Sequence, residues 1–162
     1  MRDIAQTDFS PSLKTLIIWR CDVSAVTLIA FLLKFRRTLS TLVIDYVPLH
    51  GNWRDVVVTL WDGFPRLKNI TLRMVHEHAL PVSFNRLRDN RHLPAPFEKE
   101  SFELADPDRD GWLETAAVRY KGEHMWTALD ALSRLMWSAA QHSGGVYHEG
   151  ELEDFSSEER RR

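Results

Sequence analysis

One short pattern occurs three times in this chain: Leu13-x-x-Leu16-x-Ile18-x-x-Cys21, Leu39-x-x-Leu42-x-Ile44-x-x-Val47 and Leu67-x-x-Ile70-x-Leu72-x-x-Val75. The copies start 26 and 28 residues apart, with helix-like segments between them. Self-similarity at such a period means units that cannot bury their apolar faces alone and must stack on one another. Inside the copies, the apolar residues alternate with Thr15, Ile17 and Trp19, with Thr41, Val43 and Asp45, and with Asn69, Thr71 and Arg73. A strand with one buried face needs that alternation. The expectation is an α/β solenoid of about three β-α repeats with parallel strands, which offers a surface rather than a pocket.

The repeat length and the spacing of its apolar positions are those of leucine-rich repeats. Ser24 predicts the N-cap of a helix over residues 25–35 that is apolar on most sides. Gly51 and Asn52 mark the next helix start, Trp53, Val56, Val57, Leu60 and Phe64 form one stripe, and Pro65 stops the helix. From His76 the periodicity fails, as Pro81, Pro94 and Pro96 punctuate a stretch carrying Arg86, Arg88 and Arg91. Beyond it, Phe102 and Leu104 alternate before a turn-rich run, and Trp112, Ala116, Val118 and Tyr120 alternate after it, predicting a β-hairpin. A helix follows over 123–141, with Met125, Trp126, Leu129, Leu132 and Met136 along one side and Gly144 and Gly145 beyond it. The expected organisation is an N-terminal segment (1–12), repeats (13–75), a linker or long loop (76–100), a hairpin-helix cap (101–143) and a disordered tail (144–162).

With 162 residues, 44% of them hydrophobic, the chain suffices for one cored domain plus tails. A net charge of -2 supplies no broad basic face, so neither nucleic acid nor an anionic membrane surface is an expected partner. The longest apolar run, residues 28–33, falls far short of the ~20 residues that span a bilayer, and the first residues lack a signal-peptide core. The single cysteine fits a reducing compartment. The expected location is intracellular, cytoplasmic or nuclear, and the sequence does not decide whether Arg160, Arg161 and Arg162 direct the chain to the nucleus.

The repeats, the segment Val118-Arg119-Tyr120-Lys121-Gly122 and the following helix with Ala128-Leu129-Asp130-Ala131-Leu132 together resemble the C-terminal part of fungal F-box proteins with degenerate leucine-rich repeats. The resemblance covers about residues 10–142. It implies a protein–protein interaction module, because in that family the repeats select substrates for a ubiquitin ligase while an F-box docks on a Skp-type adaptor. Here Leu80-Pro81 and Leu93-Pro94 offer only the F-box dipeptide, so an adaptor is not expected to bind these residues. Only residues 1–12 precede the first strand, with Ile4 and Phe9 as their large apolar side chains after Met1. That is a poor cap, so the chain reads as a fragment or truncated form whose first repeat has an open edge, a route to self-association.

Stacked strands align the outward residues in rows, one of them Trp19, Asp45 and Arg73. An aromatic, an acid and an arginine together have the composition of an interaction hot spot, and the candidate partner-binding residues are Ile17, Trp19, Val43, Asp45, Thr71 and Arg73. The competing reading is that Asp45 and Arg73 only pair with each other and that a neighbouring repeat covers part of Trp19. Asp106, Asp108, Asp110, Gly111 and Leu113 match positions of an EF-hand calcium loop, but Ala117 stands where its bidentate Glu belongs. An acidic hairpin turn explains them, and a calcium-responsive protein is the alternative function, beside a remnant without function. His76, His78 and His92 lack zinc-type spacing and read as solvated loop residues. Cys21 falls at the repeat's buried turn position and reads as a structural thiol. With no phosphate loop, nucleophile elbow or triad-like grouping, the expected function is non-enzymatic and implies no cofactor.

Overall fold

In a computed structural model, residues 12–88, 102–105 and 117–138 are described. The three copies of the pattern form β1 (Thr15–Trp19), β3 (Thr41–Asp45) and β5 (Asn69–Arg73), and each of the first two is followed by a short strand and a helix. These are β2 (Val23–Ser24) with α1 (Ala25–Leu33), and β4 (Pro48–His50) with α2 (Trp53–Gly63). The third is followed by β6 (His76–Glu77) and β7 (Leu80–Ser83), and the chain then supplies β8 (Phe102–Ala105), β9 (Ala117–Lys121), α3 (Met125–Leu135) and β10 (Trp137–Ser138). The result is a mixed α/β fold of two five-stranded sheets, ordered β1-β3-β5-β9-β8 and β10-β7-β6-β4-β2.

The pattern's spacing sets the register of the first sheet. Leu16 stands beside Leu42 and Leu42 beside Ile70, all parallel, whereas β9 runs antiparallel to both β5 and β8. Leu42, Ile44, Ile70 and Leu72 are buried in one cluster with Leu28, Leu32, Val57 and Leu60 of α1 and α2. Because α2 lies between α1 and α3, the helices form a layer that covers one side of this sheet. Ser24 caps α1 by accepting the Thr27 N–H (3.1 Å), and Asn52 caps α2 by accepting the Arg54 N–H (2.7 Å). Tyr120 is buried in β9, and its Oη accepts the His124 N–H (3.1 Å) ahead of α3. Burial raises the pKa of that phenol and keeps it a neutral hydroxyl.

The turn after each long strand repeats as closely as the strands do. Arg20, Tyr46 and Met74 stand one residue past β1, β3 and β5, with φ of 47°, 57° and 48°. The left-handed region costs an L-residue roughly 1–2 kcal/mol, so three such turns imply a geometric need. The kink redirects the chain into β2, β4 and β6, while the Arg20 and Tyr46 N–H groups donate to the Asp45 and Arg73 carbonyls of the next strand (3.1 and 2.9 Å). Gly51 has φ of +130°, and a Cβ there would stand 2.7 Å from Ala25 Cβ. The second unit thus passes the start of α1 at a distance that only glycine allows.

Four expectations change. Residues 76–88 are not a linker: β6 and β7 form a hairpin, a 3-10 turn follows at Asn85–Arg88, and Val82, Phe84 and Leu87 are buried. The helix predicted over 123–141 ends at Leu135, because Met136 is extended (ψ 140°) and Trp137 and Ser138 pair with Ser83 and Val82. His76, expected to be a solvated loop residue, lies in β6 with its Nδ1 buried, whereas His78 is exposed in the turn after it. Cys21 is exposed, although its counterparts Val47 and Val75 are buried. The reason is position: β1 is an edge strand, so nothing among the described residues stacks beyond it. The Asp106, Asp108 and Asp110 loop, His92 and the tail lie outside the described residues.

The β6–β7 turn supports a stability prediction. His78 and Ala79 both have positive φ, 47° and 65°, as a two-residue type I′ hairpin requires, yet neither is Gly or Asn. Ala79→Gly is expected to stabilise the chain by about 0.5–1 kcal/mol, the left-handed penalty less the entropy cost of glycine. Urea midpoints of the two proteins provide the check, and a destabilised variant would show that this turn is unstrained.

Candidate functional site

The face of the first sheet turned away from the helices carries every candidate partner-binding residue. Cross-strand registers place Trp19 beside Asp45 and Asp45 beside Arg73 in one row, and Ile17, Val43 and Thr71 in the next. Antiparallel β9 extends the second row with Arg119, opposite Glu103 of β8, and brings Lys121 opposite Asn69. Ile17 and Trp19 are 65% and 61% exposed, a large apolar area to leave in water.

Asp45 and Arg73 bind each other rather than standing free. The Arg73 Nε–H donates to Asp45 Oδ1 (2.9 Å) and its Nη2 to Oδ2, a two-point contact that fixes the guanidinium plane. Those hydrogen bonds, and then the carboxylate charge, raise the Arg73 pKa further, so it stays cationic. The Asp45 side chain is only 14% exposed while that of Arg73 is 60% exposed, so the pair presents its cationic member to solvent. The competing reading of this pair is therefore realised in its geometry, yet an exposed guanidinium is left over. Trp19 is covered differently from the expectation: Arg20 of its own strand end lies over the indole, 4.7 Å from the ring centroid, and 5.6 Å from the Tyr46 ring.

Arg20, Tyr46, Arg119 and Lys121 join this surface without having been singled out from sequence. Arg20 and Tyr46 lie outside the strand alternation, and their left-handed backbone turns them back toward Trp19. The signal was their shared repeat position one residue past the strand. Placing Arg119 and Lys121 requires the antiparallel pairing of β9 on β5, which no periodicity encodes. Asn69 donates from Nδ2 to Thr41 Oγ1 (3.1 Å), and its buried Oδ1 has no hydrogen-bond partner among the described residues.

Elsewhere, no group of three His, Cys, Asp or Glu side chains suited to a metal occurs among the described residues, and no described helix is long and apolar enough to cross a membrane. Opposite the sheet face, Trp61 of α2 and Trp126 of α3 pack against each other at a tilt of 51° with centroids 5.8 Å apart, both exposed. No protein-family model, curated protein or solved structure matches the chain.

Proposed function

We propose that this chain is a non-enzymatic protein-interaction module of the leucine-rich-repeat type, similar to the substrate-selecting part of an F-box protein. The observation that carries the reading is the exposure of Ile17 and Trp19 on a regular parallel face, beside the Asp45–Arg73 pair. Exposed aromatic side chains next to a fixed guanidinium concentrate binding energy in few residues, because water is excluded from both when a partner docks. Affinity comes from the apolar positions, and Arg73, held by Asp45, sets orientation.

The test compares partners recovered by the wild-type chain and by Trp19→Ala/Arg73→Ala. Each hot-spot truncation costs about 2 kcal/mol, so the double variant is expected to bind a recovered, purified partner about 1,000-fold more weakly where the two effects add. Trp19→Ala alone is expected to leave the thermal midpoint within a few degrees of the parent, whereas Arg73→Ala also strips the largely buried Asp45 carboxylate of this partner, so circular dichroism at the binding temperature checks that the double variant is folded. Unchanged partner binding would remove this face from consideration.

A further inference from the structure

The chain's net charge of -2 conceals how its cations are distributed. Along the first sheet's exposed face and its two rims lie Lys14, Arg20, Lys68, Arg73, Arg119 and Lys121, all exposed. The carboxylates in the same rows are Asp45 and Glu103, and each is paired with an arginine, Asp45 with Arg73 and Glu103 with Arg119 (3.3 Å). Three of the lysines share one rim. Backbone hydrogen bonds run from the Ser40 N–H to the Lys14 carbonyl, from the Lys68 N–H to the Ser40 carbonyl, and from the Gly122 N–H, next to Lys121, to the Lys68 carbonyl (2.8, 2.9 and 3.0 Å). This places Lys14, Lys68 and Lys121 on strand ends at intervals of one or two strand spacings, with no acidic residue in the row.

The face is therefore uneven: Ile17 and Trp19 make it apolar over β1, where Arg20 also lies, while over β5 and β9 the cations Lys68, Arg73, Arg119 and Lys121 outnumber Asp45 and Glu103, the carboxylates that pair with the two arginines. We infer that it receives an extended acidic segment of a protein partner, lying across the strands with an apolar or aromatic side chain on Trp19 and carboxylates over β5 and β9. This rests on the binding-module reading above and adds the chemistry of the ligand. Strands about 4.8 Å apart put β5 roughly 10 Å and β9 roughly 14 Å from β1. An extended chain advances about 3.3 Å per residue, so the acids over Arg73 and Arg119 fall about three to five positions from the apolar anchor, while Lys14, Lys68 and Lys121, at the opposite strand ends from Trp19, add attraction from further away. Charge complementarity selects this occupant over a basic one: with Arg73 and Arg119 paired to Asp45 and Glu103, the charge excess left by Lys14, Arg20, Lys68 and Lys121 is positive and repels it. An apolar anchor selects it over duplex nucleic acid, whose outward phosphates leave Ile17 and Trp19 uncovered, and the comparison with a single strand, whose bases can stack on Trp19, is made by experiment.

The probe is a fluorescein-labelled peptide of about ten residues, with Leu and Phe at one end and a run of Glu three to five positions away, followed by anisotropy with the full chain. Its Glu→Gln and Glu→Lys versions and an oligo-dT of equal charge serve as comparisons. The acidic peptide is expected to bind at least about tenfold tighter than the Gln version and to weaken steeply as salt rises. Lys14→Glu/Lys68→Glu/Lys121→Glu, at exposed positions that leave the circular dichroism spectrum unchanged, is expected to lose at least about tenfold, and Trp19→Ala a similar factor. Equal binding of the Gln peptide, tighter binding of oligo-dT, or no binding of any peptide overturns the inference. The two readings fail separately: if Trp19→Ala/Arg73→Ala loses its recovered partners while acidity makes no difference, the face stands as the docking surface and its acidic ligand falls.

Discussion

Trp53→Ala is expected to lower the free energy of unfolding by about 3–5 kcal/mol, a large part of the 5–15 kcal/mol that such a domain holds. The indole at the start of α2 is fully buried and joins two units. Its Nε1–H donates to the His76 carbonyl (2.8 Å), and its backbone N–H donates to Glu77 Oε1 (2.7 Å), both in β6 of the following unit. Truncation empties a ring-sized volume and leaves the His76 carbonyl without this donor. Urea unfolding followed by circular dichroism should show the midpoint falling with little change in slope. Trp53→Phe keeps most of the packing and loses the indole donor, so its cost should be near 1–2 kcal/mol. A loss below about 1 kcal/mol for the Ala variant would mean that β6 is held by other contacts.

Glu77→Ala is expected to cost about 2–3 kcal/mol through the other half of the same junction. Glu77 is buried, and its carboxyl reaches the first turn of α2 from the next unit along. The first N–H groups of a helix have no partner within the helix, and a carboxylate there also meets the positive end of the helix dipole. Asn52 satisfies the Arg54 N–H from within its own unit, so the donors of one helix end are divided between two units. Glu77→Gln keeps an acceptor of the same shape and gives up only the charge, with an expected loss near 1 kcal/mol. Hydrogen exchange at the Trp53 amide gives a local check: faster exchange in the Ala variant, partly restored in the Gln variant. Identical stability in all three proteins would show that this bond contributes nothing net.

Parts of this structure were legible in the sequence because local rules and tertiary needs agree there. Alternation in the three motif copies fixes which side chains face the helices, and the constant offset fixes which residues stand side by side, so the Trp19, Asp45 and Arg73 row follows from spacing. Ser24 and Asn52 announce the helix starts by the chemistry of their side chains. Residues 76–88 were illegible because their turn uses His78 and Ala79 in a conformation normally marked by Asn-Gly, and because Pro81 reads as a breaker although it sits exposed in β7. The end of α3 was illegible for the opposite reason. Apolar periodicity runs on through Met136, and only the pairing of Trp137 and Ser138 with β7, more than fifty positions away in the chain, stops the helix. Cys21 shows a third kind of failure, since a repeat signature gives the burial of an interior copy and an edge copy lacks the neighbour that supplies it.

The reversal of β9 gives the array a polarity of growth. β1 and β3 are each followed by the same sequence of turn, short strand and helix, so a further unit of the same length could be fused ahead of β1 and find its register already prescribed. At the other end the pairing is antiparallel twice over, from β5 to β9 and from β9 to β8, and the rhythm of left-handed turn and short parallel strand is lost. Among the described residues, lengthening by whole units is thus open on one side only. A designer who wished to widen the exposed face of this sheet would have to build outward from Ile17 and Trp19, adding to the β1 side while leaving the β9 side as it is.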